Sequence, residues 1–175
     1  VFSYPRTGGI EALVKAIAGP IRGSVTTAAP VTSVRRKGEG FAIRAGGKEV
    51  RADRVVSTIP LPVLLPCLED VPAGVQESCD GLRSTALLSV CIGIRGTVPP
   101  YSWVYVPSPE TGLFNRVSFP SNYSPAVAPP GHSSILAEIT CTRDDPFFSA
   151  PDGEIVSHVI GGLSKMGILD DPGQV

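Results

Sequence analysis

The stretch Arg116-Val117-Ser118-Phe119-Pro120-Ser121-Asn122-Tyr123-Ser124-Pro125 holds more polar recognition chemistry than any other part of the chain. An arginine on a strand presents a planar fork that matches a pair of phosphate oxygens. A tyrosine shortly after it can hydrogen-bond the same group, or stack its ring on a base or sugar. Asn122 is a further polar candidate beside them. The plain alternative is a solvated strand arginine followed by a turn in which Asn122 and Ser124 bond their own backbone. Trp103 and Tyr105, two apart, share one face of their strand, and composition alone reads them as sheet core. Gly8 and Gly9 precede a helical pattern, so backbone N–H groups there could meet an anion. Without a preceding strand and a third glycine, however, the pair is not a dinucleotide fingerprint.

Other candidates dissolve on inspection. Ser133 follows His132 directly, but there is no G-x-S-x-G elbow, and sequence neighbours on a turn cannot adopt the geometry of a proton relay. Glu138 stands on a strand between Ala137 and Ile139, and Asp144-Asp145 follows at a turn, with no partner cluster for a metal. Cys67, Cys79, Cys91 and Cys141 form no C-x-x-C pair and are not at ligand spacing from His132 or His158, so no metal site is expected. Their apolar or small-residue surroundings read as reduced core thiols, which favours a cytoplasmic protein. The net charge of -1, with no basic run, argues against nucleic acid as a partner. No apolar run approaches the ~20 residues of a membrane helix.

A chain of 175 residues with 42% hydrophobic content can bury a real core. Ile10, Leu13, Val14, Ile17 and Ala18 recur at helical spacing and stop at Gly19-Pro20. Runs at 31–36, 41–45 and 49–58, separated by glycine turns, predict a β-meander. The last run, nearly continuous in apolar residues, predicts a strand buried on both faces that carries Val55 and Val56 inward. After a proline-punctuated segment, strand-like runs at 87–94, 102–106, 114–119 and 135–140 predict a mixed or antiparallel sheet. From Asp152, a candidate N-cap, Ile155, Val159, Ile160, Leu163 and Met166 return to helical spacing, with Gly167 as the stop.

Tyr4-Pro5-x-x-Gly8-Gly9 before a helix, the meander through Val31, and Ala52-Asp53-Arg54-Val55-Val56-Ser57-Thr58-Ile59-Pro60, in that order, resemble the flavin amine oxidase superfamily. That resemblance implies FAD as the cofactor of the full-length enzyme, with Val31, Ser57, Thr58 and Ile59 near it and the Gly8-Gly9 helix beside the FAD domain. The second half, through Trp103-Val104-Tyr105, Phe114-Asn115-Arg116 and Ser121-Asn122-Tyr123-Ser124-Pro125, is similar to the UDP-galactopyranose mutases. It implies a substrate diphosphate held by Arg116 and Tyr123, with Tyr105 in the same pocket, and pyranose/furanose interconversion of a UDP-sugar with reduced flavin. An FAD-dependent amine or porphyrinogen oxidoreductase, or a non-catalytic binding module, are the other readings. The superfamily's G-x-G-x-x-G is not in the sequence, so an internal piece of a longer enzyme is expected, itself without bound flavin. The fold expected is α+β: a meander and helix at the edge of an FAD domain over residues 1–60, and a mixed-sheet substrate domain over 61–175.

Overall fold

The computed structural model describes residues 3–108, 110 and 114–175. The fold is α+β, and the chain divides into two compact units, one of Ile21–Arg83 and one of Val1–Pro20 with Ser84–Val175. This division differs from a cut at residue 60, for a local reason at each end. The segment after Pro60 returns to the meander, where Glu69 N–H donates to the Val34 carbonyl at 3.0 Å and the Ser33 hydroxyl meets the Glu69 carboxylate at 2.5 Å. The N-terminal segment is tied instead to the later sheet, where the Ser124 hydroxyl donates to the Arg6 carbonyl at 3.2 Å.

In the Ile21–Arg83 unit, strands β1 (Val31–Lys37), β2 (Gly40–Ala45) and β3 (Lys48–Ala52) form an antiparallel meander in that order. Helix α2 (Leu61–Leu64), a tight turn at Leu65–Cys67 and helix α3 (Val75–Asp80) follow. The third strand is shorter than its apolar run predicts. It ends at Ala52, and Val55 and Val56 are 40% and 89% exposed rather than buried. The reason is pairing: β3 runs alongside β2 only as far as Ala52 opposite Phe41, and β2 begins at Gly40. Residues past Ala52 therefore have no ladder to join.

The second unit is built on β4 (Ala86–Arg95), β5 (Trp103–Tyr105), β6 (Arg116–Ser118) and β7 (His132–Cys141), in the order β4-β7-β6-β5. Expected as mixed or antiparallel, this sheet is antiparallel at every pairing. Side chains alternate across it. One face carries Ile92, Ile94, Val117, Ile135, Ala137 and Ile139 into the core, where helix α4 (Asp152–Lys165) supplies Ile155, Val159 and Leu163. Phe114, Phe119 and Leu169 close the rest of that core.

Two details of the helices depart from sequence expectation. The N-cap of α4 is Pro151, without a side-chain cap, and Asp152 is the first helical residue. There, with Glu154, it complements the positive end of the helix dipole. The stop at Gly167 is as expected: at φ 66° this residue lets its own N–H reach the Ser164 carbonyl and that of Ile168 reach Leu163, a Schellman closure. Helix α1 (Glu11–Ala18) forms as predicted but buries none of its residues, and Ile10, Leu13, Val14 and Ile17 are exposed.

Candidate functional site

The face of the β4–β7 sheet turned away from α4 carries the polar residues. Register aligns Tyr105 with Arg116 and Arg116 with Glu138, forming one rung across β5, β6 and β7. Trp103, Ser118 and Leu136 form the next rung. Trp103 and Tyr105 are 43% and 67% exposed, so they belong to this open face and not to the sheet core that composition suggested. Their strand lies at the edge of the sheet, and the core takes Val104 instead.

Arg116 is not a solvated strand arginine. Its Nε and Nη2 both donate to the Glu138 carboxylate, the second at 2.6 Å to Oε1. Glu138 is buried, at 6% exposure, between the core residues Ala137 and Ile139. The hydrogen bonds to Glu138, and after them one with Tyr105, push the Arg116 guanidinium above its already high value. It therefore stays charged wherever the fold survives.

Tyr123 follows the turn at Pro120–Asn122, which a proline starts. Its hydroxyl donates to the Ser102 carbonyl at 2.8 Å. Its ring packs against Tyr4, with centroids 5.6 Å apart and planes inclined at 52°. Arg116 and Tyr123 line a single cleft of about 290 Å³, with Trp103, Ser118, Leu136 and Glu138 as its other walls. Tyr105 flanks Arg116 on the neighbouring strand.

Asn122 does other work. Both hydrogen bonds of its amide nitrogen go to the loop before β5, to the Pro99 carbonyl at 2.8 Å and the Tyr101 carbonyl at 2.7 Å. It faces a separate hollow with Pro100, Pro130 and His132. The expected turn chemistry holds for Ser124, whose hydroxyl accepts from Ala126 N–H, but Asn122 clamps a distant backbone and not its own.

Gly8 and Gly9 both adopt left-handed backbone, at φ 77° and 60°, a conformation that favours glycine. They make the turn into α1, and a Cβ on Gly9 would stand 3.7 Å from the Tyr4 hydroxyl, so the turn is folded around the tyrosine that packs on Tyr123. The other residues expected near a cofactor lie in the meander unit. Val31 opens the edge strand β1, and its carbonyl accepts from the Cys67 thiol at 3.4 Å. Ser57, Thr58 and Ile59 are exposed on backbone outside any strand or helix. Together these four offer backbone groups, hydroxyls and apolar surface without a cation. That donor set fits the uncharged part of a dinucleotide better than its phosphates.

Glu138 is the residue that sequence reasoning passed over, having weighed it only as a metal ligand. The available signal was a carboxylate in the middle of a strand whose alternate residues are core, a place where a charge needs a partner. Among the described residues no cluster of His, Cys, Asp and Glu could hold a metal ion, and no helix is long and apolar enough to cross a membrane. Of the cysteines, Cys79 and Cys141 are buried as expected, while Cys91 is exposed because it falls on the open face of β4.

The family model of flavin containing amine oxidoreductases matches residues 2–175. A comparison with curated protein sequences returned no match. Among solved structures, reduced UDP-galactopyranose mutase superimposes with a TM-score of 0.78 at 22% identity, over 95% of this chain and 37% of that one. Putrescine oxidase bound to putrescine gives 0.66 at 16%, over 90% of this chain and 35% of the other. A protoporphyrinogen oxidase-like protein of Exiguobacterium sp. 255-15 gives 0.66 at 16%, over 95% and 37%. The chain thus spans little more than a third of each of these structures, and at such identities the likeness is one of fold. With the family model matched along nearly its whole length, the chain belongs to the flavin containing amine oxidoreductase family.

Proposed function

We propose that this chain is the substrate-binding part of an FAD-dependent enzyme that acts on a UDP-sugar, interconverting pyranose and furanose forms. The observation that carries this reading is the single cleft lined by Arg116 and Tyr123, with Tyr105 in register beside Arg116. Arg116 provides the charged fork for a diphosphate oxygen pair, and Tyr105 a neighbouring hydroxyl. Because the Tyr123 hydroxyl donates to Ser102, its ring is the part best placed to meet a base or sugar. Trp103 adds a second aromatic wall.

In the same reading, residues 1–60 contribute to the FAD domain and 61–175 to the substrate domain, a division of roles that cuts across the two compact units. Val31, Ser57, Thr58 and Ile59 hold the uncharged part of the cofactor, and the Gly8-Gly9 turn offers backbone N–H groups. Reduced flavin, when bound, supplies the electron-rich centre for chemistry at the sugar's anomeric carbon. This chain's own residues bind and orient the diphosphate and fix its charge.

One observation favours a second reading, oxidation of an amine or other reduced substrate. Glu138 places a carboxylate in the cleft, and a carboxylate suits an ammonium group better than a phosphate. The likeness to putrescine oxidase fits that reading. The two separate in the full-length protein. Arg116→Ala is expected to weaken UDP-sugar binding by about 1.5 to 3 kcal/mol, the size of a charge-assisted hydrogen bond. If it leaves UDP-sugar affinity unchanged and impairs oxidation of an amine, the mutase reading falls and the oxidoreductase one replaces it.

A further inference from the structure

Glu138 raises a question that the diphosphate reading leaves open: a second anion in the cleft should repel a phosphate. Its side chain is 8% exposed, against 39% for that of Arg116, so the carboxylate forms the floor and the guanidinium the rim. The two are opposite each other across β6 and β7. The carboxylate takes the Nε and Nη2 donors, which form one flat edge of the guanidinium. A guanidinium has more donors than that edge uses. The end formed by Nη1 and the outer hydrogen of Nη2 is the part not engaged by Glu138, and Arg116 itself lines the cleft. Tyr105 stands opposite the same residue on the neighbouring strand. A flexible arginine held along one edge by two hydrogen bonds to a buried group has lost its rotamer freedom before any ligand arrives.

We propose that Glu138 is a positioning residue, which fixes the Arg116 guanidinium so that its outer Nη1–Nη2 end receives one oxyanion in a cleft whose own pair of charges is neutral. The proposal rests on the reading of the cleft as a substrate site and names its ligand chemistry more closely. The ligand is a bidentate oxyanion, from a nucleotide diphosphate or from a carboxylate, recognised by direction more than by net charge. Simple electrostatics makes the opposite forecast. If net charge decided, removal of the Glu138 anion would tighten an anionic ligand; if position decides, it weakens one.

The test uses the full-length protein with UDP, pyrophosphate and acetate as probes. Glu138→Gln keeps the shape but loses one acceptor and the charge, and is expected to weaken the preferred oxyanion about tenfold. In an Arg116→Ala background the same change is expected to alter affinity by less than about twofold, because Glu138 acts through Arg116. Glu138→Asp should recover part of the loss. Tighter or unchanged binding in Glu138→Gln overturns the proposal, and so does an equal loss in both backgrounds, which would make Glu138 a direct contact. Arg116→Lys retains the charge without the fork and needs no change at the buried site; undiminished binding by that variant also overturns it.

A second readout does not depend on any ligand. In protein labelled with 15N-arginine, the Arg116 Nε–H should exchange slowly with water, and faster in Glu138→Gln. Fast exchange in the unmodified protein overturns the proposal. Slow exchange with no response to UDP or pyrophosphate but binding of acetate removes the UDP-sugar reading and leaves Glu138 positioning Arg116 for a carboxylate.

Discussion

The two sheets of this chain reach stability by different routes. The β4–β7 sheet completes a core of its own. One face meets α4, and Phe114, Val117, Phe119, Ala137, Val159 and Leu163 there are at most 1% exposed. The β1–β3 meander buries Val34 and Ala42, with Leu65 and Cys79 beside them, while Val50, Val55, Val56, Leu61 and Val63 stay open. The strands differ in composition as well, with seven charged residues in the 18 of β1–β3 against three in the 26 of β4–β7, so the two sheets differ both in the faces they offer and in what each packs against. A sheet whose second layer is present becomes a rigid platform, and its opposite face is then free to hold a cleft. The meander meets the short helical segment that follows it, through Val34 and Glu69, and leaves open Val31 and Ile59, two of the residues expected near a cofactor.

Substitutions can break that comparison. The largest effect is expected at Phe119, fully buried: Phe119→Ala should destabilise by about 3 to 5 kcal/mol in denaturant titration. Leu65→Ala in the meander, beside an open hollow, should fall at the low end of such changes, about 2 kcal/mol. Equal losses at the two sites would end the distinction between a complete and an incomplete core. Next comes Arg116→Ala, which strands the Glu138 carboxylate and should cost about 3 kcal/mol. Replacing both members of the pair by apolar residues should restore most of it, as measured by thermal melting. Val56→Ser should change stability by no more than about 0.5 kcal/mol, since Val56 is almost wholly exposed.

The smallest effect is one of pH. Lys37, and after it Arg35, holds the Glu49 carboxyl below its ordinary value of 4.5. A depressed folded value means that this contribution is present above the unfolded pKa and is lost as pH falls through the folded one. Melting temperature should therefore fall slightly as pH drops below about 4.5. Lys37→Gln should flatten that slope; a slope unchanged in the variant would show that the Glu49 contacts carry no stability.

Much of this architecture was legible in residue order. The strand composition from Ile135 to Thr140 and the helical spacing of Ile155, Val159 and Leu163 mark a strand and a helix, and both patterns are consequences of the core that the two share. The apolar run at Val55-Val56 misled for a related reason. Apolar composition records that burial is possible, but pairing decides it, and β2 does not extend far enough to pair residues beyond Ala52. At the cleft, the residue types at Arg116 and Tyr123 could be read directly. The Arg116–Glu138 rung could not, because register between β6 and β7 depends on a connection whose length alone does not fix the pairing. Asn122 showed the right chemistry and a different target, the loop at Pro99 and Tyr101.

The central claim is that the cleft on the open face of the β4–β7 sheet binds an oxyanionic substrate through Arg116. Trp103, the one tryptophan of the chain, stands in the wall of that cleft and reports on it directly. Titration of the 175-residue chain with UDP, followed by tryptophan fluorescence, should give a saturable change that Arg116→Ala abolishes or shifts to at least about tenfold higher concentration. An unaltered Trp103 signal in a folded chain, or the same titration curve in Arg116→Ala, would contradict the account.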